Sequence, residues 1–318
     1  LSDRQHARSA ETACGEQSAP RSPYYHDWYS LRALLSILNR LIKLDLSLSY
    51  RQALELNSPS AYLLVSHGSR DPRPQLAVEA LAQMLRHSWP HPASSATVAS
   101  SSIALAEPQI AAPPIATACL ELAPQPLHEQ IRQFGERAVN LGYRRLVILP
   151  LFLLAGVHVR VDLPTEVSLA QQALGRAIEL DLSPHLGSHP DLEQLLAQSF
   201  AASAPSSARI LLTHGSRRAQ ANQVIAALAM RLQAIPAYWS IAPSLSDCVS
   251  ALVMAGQRQI AIVPYFLFTG GITDAIGELV IELRELFPDC QIDFSAPLGA
   301  TPQLALLALE LLASSDRG

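Results

Sequence analysis

Two stretches decide the reading of this chain: LLVSHGSR at Leu63–Arg70 and ILLTHGSR at Ile210–Arg217. Each is an apolar run that stops at a His-Gly turn, and each is followed by a helical pattern. A second pair of boxes lies downstream in the same order, LPLFLLAG at Leu149–Gly156 and VPYFLFTG at Val263–Gly270. Pro150, Phe152, Leu153 and Gly156 align with Pro264, Phe266, Leu267 and Gly270. Two boxes in matching order mark an internal repeat. The boxes lie farther apart in the first half, mainly because of the Ala/Ser/Pro-rich stretch 90–114, read as a long loop.

Outward from the boxes, short apolar runs alternate with 3.6-period patterns. Strands are predicted at Ala61–Ser66, Ile115–Leu120, Arg145–Pro150 and Ala177–Leu182, with helices at 74–88, 127–141, 164–174 and 191–202. The cycle restarts with strands at Arg209–Thr213, Ala237–Ile241, Gln259–Pro264 and Gln291–Ser295, and helices at 218–233, 245–255, 273–286 and 302–313. This alternation predicts an α/β fold of two similar doubly wound parallel-sheet lobes. The domain reading is an N-terminal extension at 1–57, a first lobe at 58–204 and a second, degenerate lobe at 205–318. Within the extension, residues 1–24 are polar and aperiodic. Leu31, Leu34, Leu35, Leu38, Leu41 and Ile42 predict one amphipathic helix over 28–46.

Composition narrows the function. Apolar residues make up 49% and charged residues 16%, which suits a folded chain with a large core. A net charge of -4 argues against nucleic acid as the main partner. No apolar run reaches the length of a membrane span, and the N-terminus lacks a signal-peptide layout. The four cysteines, Cys14, Cys119, Cys248 and Cys290, form no CxxC. Cys119, Cys248 and Cys290 therefore read as buried thiols in a reducing compartment, and the chain as cytoplasmic.

In doubly wound sheets, ligands bind beyond the carboxyl ends of the strands. His67 and His214 sit just past strand ends. His158 follows the strand ending at Pro150, after the Gly156 turn, so His67 and His158 are placed to face one crevice. Two imidazoles with open positions hold Co²⁺, Fe²⁺ or Ni²⁺ loosely enough to release it, which suits transfer, unlike a structural zinc site. Glu121, at the end of its strand, is a candidate proton acceptor or third ligand. Asp162 reads as a helix cap. Arg70, Arg73 and Arg160 flank the histidines and suit a polycarboxylate ligand. His87, His91, His128, His185 and His189 read as surface or loop residues. The halves are unequal, because Ile272 aligns with His158 and Ser240 with Glu121.

At these residues the chain resembles the sirohydrochlorin cobaltochelatase and ferrochelatase family in its long, duplicated form. The matching pieces are LLVSHGSRDPR (63–73), ACLELAPQPL (118–127), LPLFLLAGVHVRVDLP (149–164), LLTHGSRRAQAN (211–222), IAPSLSDCVSAL (241–252) and VPYFLFTGGITDAI (263–276). The resemblance implies two lobes with an active-site cleft between them. It implies metal-handling histidines at His67 and His158 and a helping carboxylate at Glu121. Arg70, Arg73, Arg160 and His214 are then candidates for contacting a sirohydrochlorin-type tetrapyrrole. The metal, Co²⁺ or Fe²⁺, is a substrate; no tightly bound cofactor and no ATP are implied, and no P-loop pattern is present. Monomer and homodimer both stay open. The rival readings are a protoporphyrin-type ferrochelatase, a non-catalytic metal or tetrapyrrole carrier, and a hydrolase using Ser69 or Ser216, which lacks a GxSxG elbow.

Overall fold

Strand β1, Ser60–Ser66, is buried along nearly its whole length, as a central parallel strand must be. The structure is a computed structural model and describes residues 60–89, 112–204 and 207–315. The expected helix over 28–46 and nearly all of the 90–114 loop lie outside those residues. The first half continues with helix α1 (Pro72–Ser88), β2 (Ile115–Cys119), α2 (Leu127–Asn140), β3 (Arg145–Pro150), a π turn at His158–Asp162, α3 (Leu163–Leu174), β4 (Glu179–Leu182) and α4 (Leu192–Ala201). The second half runs β5 (Ala208–Thr213), α5 (Ala219–Arg231), β6 (Ile235–Tyr238), α6 (Leu245–Met254), β7 (Gln259–Pro264), α7 (Gly271–Leu286), β8 (Gln291–Phe294) and α8 (Pro302–Ser315).

The two sheets share one plan. Their strand orders are β2-β1-β3-β4 and β6-β5-β7-β8, and all pairings are parallel. From β1 the chain moves outward to β2, then crosses back over β1 to lay down β3. That reversal opens a crevice at the carboxyl ends of β1 and β3, where doubly wound sheets bind ligands. Local signals place the helices. Asp71 caps α1 by accepting from the Arg73 amide, with Pro72 in the first turn. Ser244 and Asp247 form a reciprocal capping box on α6. The strand expected at Ala237–Ile241 lies earlier, at Ile235–Tyr238, because the chain beyond Tyr238 turns back and bridges to Ser244.

Alternate residues of each strand feed different cores. On β1, Ala61, Leu63 and Val65 face α2 and α3. Tyr62 and Leu64 face a layer shared with the second sheet, which contains Leu211, Val263 and residues of α1, α4, α5 and α8. Helix α8 is buried almost all round, at Leu304, Ala305, Leu307, Ala308, Leu309, Leu311 and Leu312. Such a helix belongs between layers. The last helix of each half also crosses over. α4 packs on β7 of the second sheet, whereas α8 packs on β3 and α1 of the first. Arg145 of β3 reaches the Ser315 carbonyl, 2.5 Å away. The units of packing therefore do not coincide with the sequence repeats that divide at 204/205. Each half is completed by a helix from the other: on the shared face its own first helix covers the first two strands, and the exchanged helix covers the third.

Candidate metal centre

The crevice beyond β1 and β3 is built from backbone outward. After Ser66 the chain turns through Gly68 at φ +97°, a conformation glycine adopts without penalty. The end of β2 docks on this turn: the Leu120 amide donates to Ser66 O and the Glu121 amide to His67 O, both at 2.9 Å. A Cβ on Gly68 would stand 2.0 Å from the Glu121 carbonyl oxygen. The bare glycine is what lets Glu121 lie against His67. Leu122 follows at φ +62°, unusual for a bulky side chain and a local strain of the kind found at ligand sites. The Leu151 amide donates to Val65 O at 2.8 Å, which leads the chain past β1 into the π turn that carries His158.

These turns bring His67, Glu121 and His158 together, with their candidate ligand atoms all within 4.8 Å of one another. The imidazole centroids lie 4.8 Å apart, edge to face. His67 Nε2 is 4.0 Å from Glu121 Oε2. Phe152 flanks both rings, with centroids 6.3 and 6.2 Å away. An ion with bonds of about 2.1 Å holds its ligand atoms roughly 3–4 Å apart, so small rotamer changes close the group around one cation. His67 and Glu121 are each 50% exposed and His158 36%, leaving the ion's remaining positions open to solvent or a second ligand. Both Nδ1 atoms are engaged: that of His67 with Gly68 O at 3.2 Å and that of His158 with Asp162 Oδ2 at 2.7 Å.

His158 also lines a cavity of about 1230 Å³ between the two halves. Its walls combine the apolar Leu153, Leu154, Val224 and Leu228 with Arg160, His185 and Arg218. Burial, and next the nearby Arg160 guanidinium, lower the pKa of His185 and keep it neutral to more acidic pH. Tyr265 bridges the halves by donating from its hydroxyl to Leu153 O at 3.3 Å.

Other sequence-predicted residues fall into three groups. Arg70 is exposed in the turn after His67, and Arg160 is exposed at the cavity wall. Arg73 was expected to face a substrate; its guanidinium instead pairs with Asp71 and Asp274, with Nη2 at 2.5 Å from an oxygen of each. That pairing joins the two halves and pulls the Asp71 carboxyl down to about 2. His214 is exposed, its Nδ1 3.1 Å from Gly215 O, and among the described residues it joins no group of three metal-ligating side chains.

Several expectations need correction. Asp162 stands at the start of α3, but its side chain makes no cap hydrogen bond, because it is turned to His158. His185 and His189 lie in loops, as expected, but neither is a surface residue. His185 is half-buried on the cavity wall, and His189 is buried. The Asp191 amide donates to His189 Nδ1 at 3.1 Å, so Nε2 carries the hydrogen that faces Glu310 at 3.0 Å. With both ring nitrogens used, His189, Asp191 and Glu310 tie the start of α4 to α8. Cys248 and Cys290 are buried as expected, whereas Cys119 is only half-buried and donates from Sγ to Gln75 Oε1 at 3.0 Å.

Comparison with known proteins agrees with this architecture. A family model described as CbiX matches residues 91–203 and 208–315, most of the chain. The chain belongs to the CbiX family. In this CbiX-family chain the second match takes in the Ile210–Arg217 box, whereas the first begins after the Leu63–Arg70 box; two successive matches accord with the duplicated plan of the two sheets. A sirohydrochlorin cobaltochelatase of Priestia megaterium is 20% identical over 78% of this chain and 77% of its own length. The solved structure of SirB from Bacillus subtilis with Fe³⁺ superposes with a TM-score of 0.62 at 21% identity, covering 81% of this chain and 95% of that one. The sirohydrochlorin chelatase SirB from Bacillus subtilis subspecies spizizenii in complex with cobalt gives 0.60 at 21% identity, with the same shares covered. These likenesses establish the two-lobed fold.

Proposed function

We propose that this CbiX-family chain inserts a divalent metal ion, Co²⁺ or Fe²⁺, into a sirohydrochlorin-type tetrapyrrole without ATP, in the cytoplasm. The observation that carries the proposal is the convergence of His67, His158 and Glu121 on one solvent-open point at the switch between β1 and β3. Two neutral imidazoles bind such ions firmly enough to collect them and leave coordination positions free for a ring nitrogen. The adjoining cavity has apolar surfaces for the faces of a macrocycle and guanidinium groups at Arg160 and Arg218 for its carboxylates. Residues 58–204 then carry the metal ligands, and 205–318 supply the opposite wall.

In this reaction two pyrrolic protons leave as one M²⁺ enters, so charge balances. His67 and His158 present the ion on one face of the ring. Glu121, 4.0 Å from His67 Nε2, is placed to accept a departing proton, and the exposed side of the group passes protons on to water. Arg160 on the cavity wall, with the exposed Arg70 and His214, contacts the substrate's carboxylates. Arg73 joins them only by giving up Asp274.

The test is an anaerobic insertion assay with purified protein and sirohydrochlorin, offering Co²⁺, Fe²⁺ and Ni²⁺ in turn and following the absorbance change. Protoporphyrin in parallel separates the related ferrochelatase reaction, and binding without turnover marks a carrier. His67→Ala and His158→Ala are expected to abolish insertion. Parental rates in both variants would overturn the assignment.

A further inference from the structure

We infer that Asp162 is a positioning residue, whose carboxylate fixes the ring of His158 so that Nε2 presents its lone pair to the ion. The inference rests on the reading of His158 as a metal ligand and adds a residue and a role to it. His158 Nδ1 lies 2.7 Å from Asp162 Oδ2. An ionised carboxylate only accepts, so Nδ1 must carry the hydrogen. In the neutral ring Nε2 is then the free lone pair, and the ring's tilt is set by the same bond. Outer partners of this kind orient metal-binding histidines and raise the electron density at the ligating nitrogen.

The backbone is arranged for this contact. His158 and Asp162 are the two ends of a π turn, a departure from α geometry that concentrates at functional sites. The Leu163 amide donates to His158 O, so both the main chain and the side chain of His158 are held by the same turn. Asp162 itself has ordinary helical angles, φ -68° and ψ -48°, and spends its side chain on no cap bond.

The second half supplies an internal control. At the positions of His158 and Asp162 it has Ile272 and Ile276. Ile276 is fully buried in the second lobe's outer core, and α7 begins directly from a Gly270–Thr273 cap, without a π turn. Histidine, aspartate and π turn thus occur together in one half and are absent together from the other, among the described residues. A surface ion pair kept only for helix stability would have no reason to follow the metal ligand in this way.

The geometry also separates the two imidazoles. His67 Nδ1 faces a neutral carbonyl, Gly68 O, at 3.2 Å, whereas His158 faces a carboxylate at 2.7 Å. His158 is the more firmly aimed and the stronger donor of the two.

Two measurements on the full chain test this. Long-range ¹⁵N–¹H correlation spectra of the metal-free protein are expected to show His158 as the Nδ1–H tautomer, with Asp162→Ala shifting it toward a mixture. Titration with Co²⁺ alone, followed by calorimetry and the cobalt d–d absorption, is expected to show Asp162→Asn weakening binding roughly 10- to 100-fold with an unchanged thermal midpoint. A His158 that is mainly Nε2–H in the parental protein overturns the inference. So does an Asp162→Asn variant with the parental Kd and cobalt spectrum; in that case the metal site itself still stands. A parental protein that binds no Co²⁺ overturns the site, and the positioning role with it.

Discussion

The two halves of this protein share the backbone of the turn after their first strand and differ in chemistry. In the first, the Glu121 amide donates to His67 O; in the second, the Ser240 amide donates to His214 O, each at 2.9 Å. Each histidine's Nδ1 faces the carbonyl of the glycine that follows, and each glycine has positive φ. The crossing from the third strand repeats as well, with Leu151 donating to Val65 O and Tyr265 to Leu212 O. Yet one half gathers two imidazoles and a carboxylate, and the other shows a histidine beside a serine hydroxyl, with Ile272 exposed where His158 would be. Main-chain hydrogen bonds and buried strands reproduce a turn whatever its outward side chains are. A ligand set depends also on those side chains, so a duplicated scaffold can carry one candidate metal site.

The sharpest break in the comparison comes from the proposed ligands. His67→Ala or His158→Ala is expected to lower Co²⁺ insertion by roughly 100-fold or more, beyond the loss typical of an outer-shell partner. His214→Ala should cost far less, and an absorbance assay on the three variants reads the asymmetry directly. Equal losses would mean that the second histidine is an equivalent ligand.

The two glycines sharpen the comparison at the level of the fold. An alanine at 68 meets backbone, 2.0 Å from Glu121 O; an alanine at 215 meets side-chain atoms, with Ile241 Cγ1 at 2.8 Å and Tyr238 Cβ at 2.9 Å. Both also adopt a strained positive φ. Gly68→Ala is therefore expected to cost roughly 3 kcal/mol or more and to displace Glu121, against about 1–2 kcal/mol for Gly215→Ala. Urea unfolding of both variants provides the check; a larger loss at 215 would contradict the clash argument.

The contact between the halves gives a pH-dependent effect. The Arg73 guanidinium holds the Asp71 carboxyl at about 2, below its ordinary 3.8. A lowered carboxyl pKa contributes stability above 3.8 that disappears as pH falls through about 2. Thermal midpoints of the parental protein and Asp71→Asn should differ at neutral pH, draw together below pH 3.8 and meet only below about 2. The salt-exposed setting keeps the difference small.

Smallest is the effect of His185, whose pKa is lowered by burial and by Arg160. Its neutral form is favoured by folding, so its contribution is present above the ordinary 6.5 and lost as pH drops below it. His185→Gln is expected to flatten the stability profile on the acid side of 6.5, read by the same thermal scans.

Much of this was legible in the primary sequence. Continuous apolar runs such as Arg145–Pro150 and Gln259–Pro264 named the buried parallel strands to the residue, because a strand covered on both faces has no polar alternation to blur its ends. The repeated HGS turns located His67 and His214, and the Gly156 turn located His158, because strand ends in such sheets are where ligands bind. The imbalance between the halves was equally plain, since Ile272 cannot ligate a metal.

Other features belong to the tertiary structure. The exchange of α4 and α8 between sheets leaves no local mark, since an apolar helix reads alike whichever layer it covers. Arg73 read as a substrate contact until folding set Asp274 beside it, two hundred residues away in sequence. Nothing local marked the loop residue His189 as buried, because its partner, Glu310, lies on the last helix. Asp162 read as a cap, since the π turn that sends its carboxylate to His158 has no sequence signature of its own. Hydrogen-bond periodicity and apolar patterning are local and can be read along the chain. Which charged groups meet is settled only when distant segments pack, and that is where the geometry of the candidate site is decided.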